Sequence, residues 1–295
     1  MRTDKRVFAL GFFDGVHLGH QALLQACRDL AREENCQSAA ITFDRHPQSL
    51  FSAEPPMLLS SLQDRHILLR KYGVGPIYTF SVEPETMSMD WRDFLEELME
   101  YGAAGFVCGA DFRFGYKGRG NADLLRTYCL EKGLPCVIVP EQTMDGVRIS
   151  STRIRELLEK GHMESAKKLL GHPHLLTGEV VTGRKLGGTL GFPTANVRIP
   201  EGVACPRHGV YACKIQVDGE VFSAVTNVGS RPTVQGSQVR TESWILDFDR
   251  DLYGRTVTLE FHYFLRPEKR FDSLEQLKQA VLADAARARS YFREN

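Results

Sequence analysis

The strongest constraint on the fold is a change of rhythm between the two halves of the chain. In the first half, short apolar runs alternate with amphipathic stretches. VFALG (7–11) and SAAITF (38–43) read as buried strands, and Leu18 to about Glu33 between them reads as a helix with one apolar face. The same alternation predicts helices over 62–72, 91–101 and 121–131 and strands over 76–80, 105–109 and 136–139. Repeated strand–helix units imply a Rossmann-like α/β domain, a parallel sheet covered by helices on both faces. Ligands of such sheets sit beyond the carboxyl ends of the strands, where GFFDGVHLGH, TFDRHP and CGADFRFG fall.

After a short helical stretch near 163–170 the chain becomes β-rich. Strands are expected over 175–182, 210–217, 220–228, 240–248 and 255–264, with turns at Asp218-Gly219 and Tyr253-Gly254 and no helix between them. This is a second, antiparallel domain. A last helix over 273–292 carries Leu274, Leu277, Val281 and Ala285 on one face, which is expected to pack on the β structure. The boundary is placed near Gly171-His172-Pro173, giving domains 1–170 and 171–295.

Composition narrows the partners. Lys plus Arg and Asp plus Glu balance at 37 each, so no net field draws the chain to nucleic acid or to an anionic membrane. The seven cysteines form no CxxC pair, which fits reduced thiols and a cytoplasmic location rather than a disulfide framework or a zinc site. The N-terminal residues lack the pattern of a signal peptide, and no run approaches the ~20 apolar residues of a membrane span.

Two stretches carry chemistry. In GFFDGVHLGHQALL a strand ends at Gly11 and turns through Asp14 and Gly15 into a helix, so free backbone N–H groups and a positive helix end meet there. His17 and His20, spaced i and i+3, share one face of the first turn. They read as metal ligands, as phosphate hands, or as caps of a helix start; zinc needs a third ligand that no nearby spacing supplies. Downstream, RISSTRIRELL (148–158) opens a helix with hydroxyls flanked by Arg148, Arg153 and Arg155, a pattern that suits a polyphosphate or a plain serine N-cap.

In the second half, VVTGRKLGGTLGFPTANV (180–197) places Gly183, Gly187 and Gly191 where backbone N–H groups can wrap a phosphate. Thr194 and Asn196, two residues apart on an extended segment, can turn their oxygens to one side and serve a Mg²⁺. A glycine-rich turn with an ordinary Pro-Thr pair is the plainer alternative.

Taken together, GFFDGVHLGHQALL, TFDRHP, CGADFRFG and RISSTRIRELL resemble, in order and spacing, the FMN adenylyltransferase module of bacterial bifunctional riboflavin kinase/FAD synthetases. VVTGRKLGGTLGFPTANV, HGVYACKI, TNVGSRPTV, TESWILDFDRDLYG and FLRPEKRF resemble the riboflavin kinase module of the same family. The resemblance implies a small six-stranded β-barrel with a C-terminal helix for the second domain. In the first domain it implies that His17 and His20 stabilise charge on the ATP phosphates and that Arg148, Ser151, Thr152 and Arg155 hold the leaving pyrophosphate. Gly11 and Asp14 belong to that site, with Asp111 and Phe112 as candidates for substrate placement. In the second domain the resemblance makes Glu242 the general base for the ribityl hydroxyl, Thr194 and Asn196 the Mg²⁺ ligands, and Arg266 a candidate near the flavin.

The implied chemistry uses ATP and Mg²⁺ to turn riboflavin into FMN and FMN into FAD. Three positions depart from the family's pattern: Phe12 stands where a small or polar residue is common, Ala110 where an acid is common, and Trp244 where a histidine is usual. Trp244 keeps open a single-activity FMN adenylyltransferase with an impaired kinase. A flavin-sensing binding protein is the rival from another class; it would be free to lose His17, His20 or Glu242, and all three are present.

Overall fold

Burial on both faces decides where the first strand sits. β1 (Arg6–Leu10) is fully buried from Val7 to Leu10 because it is the middle strand of a five-stranded sheet. With β2 (Gln37–Phe43), β3 (Ile77–Phe80), β4 (Ala103–Gly109) and β5 (Cys136–Val139), the sheet runs in the order β3-β2-β1-β4-β5, and every neighbouring pair is parallel. The computed structural model describes residues 5–181, 192–233 and 236–294.

The longer crossover helices are α1 (Leu18–Glu33), α2 (Leu62–Lys71), α3 (Trp91–Glu100) and α4 (Ala122–Lys132). α1 lays Leu23, Leu24, Cys27 and Leu30 on the sheet, as its apolar spacing requires. On another part of the sheet, Phe94, Leu95 and Leu98 of α3 and Leu125 and Tyr128 of α4 pack with Phe8, Ile41 and Phe106. Leu10 lies level with Ile41 on β2 and Cys108 on β4, so the loops after β1 and β4 leave the sheet side by side where the strand order reverses. A crevice opens at such a switch point.

Residues divide into two compact units, Met1–Leu58 with Leu62–Ser151, and Leu59–Ser61 with Thr152–Asn295. The second takes up α5 (Ser151–Lys160) from Thr152 onward, followed by α6 (Met163–Leu170). Six strands follow: β6 (His174–Val181), β7 (Thr194–Arg198), β8 (Gly209–Val217), β9 (Glu220–Thr233), β10 (Gly236–Ile245) and β11 (Thr256–Arg266). They close into an antiparallel barrel in the order β6-β7-β10-β9-β8-β11. Closure leaves no edge to recruit another strand.

The pleat sorts the barrel residues. Ala195, Ser243, Thr226 and Tyr211 form one cross-strand row, are all buried, and face inward, with Thr226 Oγ1 and Ser243 Oγ 2.9 Å apart. Asn196, Glu242 and Asn227 form the next row and, by alternation, face outward. On that outer surface Val210, Ala212, Val225 and Leu265 pack beneath α7 (Leu274–Glu294).

Two sequence expectations need correction. The face of α7 that packs is built on Ala285 and Ala288 with Tyr291 and Phe292, whereas Leu274 is 59% exposed. Small residues allow close approach, and the Arg266–Asp284 ion pair, 2.8 Å, pins the helix there. Strand β7 was not expected, because it is five residues long and is defined by its partners on β6 and β10.

Candidate functional site

The turn after β1 is strained. Phe13 and Val16 have φ of 59° and 40°, and Gly15 has φ of 72°. A left-handed β-branched or aromatic residue costs on the order of 1–3 kcal/mol and persists only where its neighbours impose it. Several do. The Phe13 ring lies so close over Gly11 that a Cβ there would be 2.9 Å from it, Gln21 Nε2 donates to the Val16 carbonyl (2.9 Å), and Ser151 Oγ donates to the Asp14 carbonyl (3.1 Å).

The strain delivers two histidines. His17 caps α1, its Nδ1 accepting from the backbone N–H of His20 (3.4 Å), which leaves Nε2 as the protonated nitrogen of the neutral ring. The His17 and His20 rings stack with centroids 3.7 Å apart and planes 14° from parallel, and Phe13 meets His20 edge-on at 5.4 Å. His20 Nδ1 is buried with no hydrogen-bond partner among the described residues. Desolvation, then the charges of His17 and Arg65, holds its titration well below 6.5. At neutral pH it is an uncharged imidazole.

Both rings line a cavity of about 670 Å³ formed by the loops after β1, β2, β4 and β5. Gly11, Asp111, Phe112, Arg148 and Ser151 line it as well, so these predicted residues meet His17 and His20 in one place. Asp14 is buried behind the turn. Phe112 also stacks on Phe114 (5.6 Å) and leans on the core, so only part of its ring serves the cavity. Arg148 is already engaged: it pairs with Asp111 and, at 3.0 Å, with Glu141. Thr152 and Arg155 lie on α5 in the second unit, where Arg155 Nη2 donates to Thr152 Oγ1 (3.1 Å).

In the barrel, Asn196 is the cross-strand partner of Glu242 and Thr194 that of Trp244, while Asn227 flanks Glu242 on the other side. Asn196 is buried, and its Oδ1 has no hydrogen-bond partner among the described residues. A buried amide oxygen left this way is costly unless something fills it. A hard cation that prefers oxygen ligands fits the donor set, since Thr194 and the Glu242 row stand beside it. Thr194 and Asn196 line a cavity of about 390 Å³ with Phe248 and Tyr253. Gly183, Gly187 and Gly191 lie outside the described residues. Arg266 gives its Nε and Nη2 to Asp284 on α7 (2.8–3.1 Å).

Comparison with known proteins assigns the two units. A family model described as FAD synthetase matches residues 1–153, and one described as riboflavin kinase matches residues 170–292. A bifunctional riboflavin kinase/FMN adenylyltransferase of Listeria monocytogenes is 36% identical over 98% of this chain and 94% of its own length. The chain belongs to the bifunctional riboflavin kinase/FMN adenylyltransferase family. The relative of the same name in Bacillus subtilis is 33% identical over 98% of this chain and 93% of its own. A crystal structure described as a macrolide-efflux protein from Streptococcus pneumoniae superposes with a TM-score of 0.86 at 31% identity, covering 98% of this chain and 95% of that one. Among the described residues, no helix is long and apolar enough to cross a membrane.

The FAD synthetase unit contains site residues that sequence reasoning passed over. Phe12, for which the sequence suggested no role, lines the cavity, edge-on to His46 at 5.1 Å, with the Arg65 guanidinium 4.1 Å from its ring centroid. Arg65 sits in an ordinary helix pattern, QDRHILL, and nothing local in the sequence announces that it is fully buried. In the riboflavin kinase unit, Trp244 packs on Phe192 (4.6 Å) and against the apolar cluster under α7, so it is held by packing.

Proposed function

We propose that the chain makes FAD from riboflavin in two ATP-dependent steps, with phosphorylation in the C-terminal module and adenylylation in the N-terminal one. The observation that carries the second step is the stacked His17–His20 pair facing a cavity of about 670 Å³ beyond β1. An FMN phosphate oxygen attacks the α-phosphorus of ATP, the bond from that phosphorus to the bridging oxygen breaks, and pyrophosphate leaves. No protein nucleophile is needed, so the protein's part is placement and charge stabilisation. His17 Nε2–H and the His20 ring serve as donors to the phosphate oxygens. Arg148, exchanging Asp111 and Glu141 for phosphate, joins Ser151, Thr152 and Arg155 in holding the β and γ groups. Asp111 and Phe112 border the flavin.

For the kinase step, Glu242 takes the proton of the ribityl 5′-hydroxyl as its oxygen attacks the γ-phosphorus, and ADP departs. Thr194 and Asn196 are the residues that would hold a Mg²⁺. That ion, when bound, offsets charge on the ATP phosphates. The buried Asn196 Oδ1, level with Glu242 on the neighbouring strand, supports this pairing of base and cation site.

Incubation of the full chain with riboflavin, ATP and Mg²⁺, followed by chromatography of the flavins, tests the reading. FMN and then FAD are expected; riboflavin left unchanged would overturn it.

A further inference from the structure

The strained turn that carries His17 has an arginine built in behind it. Arg65 Nη1 donates to the Phe43 carbonyl (2.6 Å) and to Thr42 Oγ1 (3.1 Å), and the Thr42 hydroxyl in turn donates to the Phe12 carbonyl (2.8 Å). The same guanidinium covers the Phe12 ring at 4.1 Å. One cation therefore grips Phe12 twice, through its carbonyl by way of Thr42 and through its aromatic face. Phe12 is the residue immediately before left-handed Phe13, where the strain begins.

A purely structural role would not need a charge there, since a buried ion is often replaced by well-packed apolar residues without loss. Arg65 keeps its charge although it is fully buried and its Nε and Nη2 find no hydrogen-bond partner among the described residues. The acids that stabilise it, Asp14 and Asp44, lie just beyond the ends of β1 and β2, and its charge is felt at the His20 ring.

We propose that Arg65 is a positioning residue of the adenylyl-transfer site, acting through Thr42 and Phe12 to hold the Phe13–Val16 turn and thereby the aim of His17 and His20. The inference rests on the adenylyl-transfer reading of the cavity. Phe12 is the aromatic half of this device, and a small polar residue at that position would give the guanidinium no face to lie on.

The test compares Arg65→Met, Arg65→Lys and Phe12→Leu with the unsubstituted full chain, measuring kcat and KM for ATP in the conversion of FMN to FAD. Riboflavin phosphorylation and thermal unfolding of the same preparations report whether each variant is folded. Arg65→Met is expected to lose about 10- to 100-fold in kcat, the cost of a misaimed group, with KM for ATP changing less than about threefold. Arg65→Lys and Phe12→Leu should lose less, and the His20 titration followed by NMR should move up in Arg65→Met. A folded Arg65→Met variant with unchanged kcat, or one whose whole loss lies in KM, would overturn the proposal. If Arg65→Met does not fold, Phe12→Leu decides, and an unchanged kcat there overturns it. Failure of the unsubstituted chain to make FAD from FMN would instead remove the adenylyl-transfer reading and the proposal with it.

Discussion

His17 and His20 stack face to face, 3.7 Å between ring centroids, with His17 Nδ1 capping the backbone N–H of His20. Two imidazolium ions would repel in that geometry, so the two rings do not both carry a charge. Burial, His17 and Arg65 all push His20 the same way, below 6.5. In the nucleotide-free chain its NMR titration should therefore fall below 6.5, and ATP, bringing negative charge to the rings, should raise it. A midpoint above 6.5 without nucleotide would contradict the assigned environment.

Arg148 reaches the cavity with two carboxylates attached, and Glu141 holds it at 3.0 Å with both side chains about half exposed. Such a pair is worth about 0.2–1 kcal/mol, so Glu141→Gln should lower KM for ATP in FMN adenylylation by about 1.5- to 5-fold. The gain should shrink as salt is raised. Steady-state kinetics at two ionic strengths check both statements.

Arg266 and Asp284 form the main ion pair between β11 and α7, with Asp284 only 3% exposed. Removing the cation leaves a buried carboxylate without its partner, and Arg266→Ala is expected to destabilise the protein by roughly 3–5 kcal/mol in denaturant unfolding. Replacing both residues by apolar ones of similar size should recover most of that loss. A direct contact of Arg266 with flavin would add a rise in the KM for riboflavin that the double replacement does not recover.

His174 is buried beside Phe261, and burial, then the charge of His172, lowers its titration to about 3. Its unfolded value is about 6.5, so between pH 6.5 and 3 the unfolded chain binds the extra proton. Stability is complete above pH 6.5 and falls by about 1.4 kcal/mol per pH unit below it from this group. His174→Phe or His174→Leu should flatten that acid slope, as measured by unfolding at a series of pH values.

What the sequence disclosed follows from what is local. Strand–helix alternation placed β1, α1 and the switch-point loops, because a buried parallel strand is apolar throughout and its crossover helix is amphipathic. His17, His20 and Ser151 were legible because helix starts collect hydroxyl, imidazole and free N–H groups. Arg65 was not, because a basic residue in a helix normally faces water and only the tertiary fold turns it toward Phe12 and Thr42. β7 was missed because its hydrogen bonds go to β6 and β10 rather than to a hairpin neighbour. The engagement of Arg148 by Asp111 and Glu141 depends on loops that meet only once the sheet is formed.

Two separate sites in one chain form the central claim, and two substitutions test it most directly. Full-length Glu242→Gln and His20→Ala are each given riboflavin or FMN, with ATP and Mg²⁺, and the flavins are resolved by chromatography. Glu242→Gln should leave riboflavin unphosphorylated yet still convert FMN to FAD, and His20→Ala should accumulate FMN with FAD formation reduced by about 100-fold or more. If either substitution abolished both half-reactions while the protein remained folded, the assignment of phosphorylation to the barrel and adenylylation to the parallel-sheet unit would be contradicted.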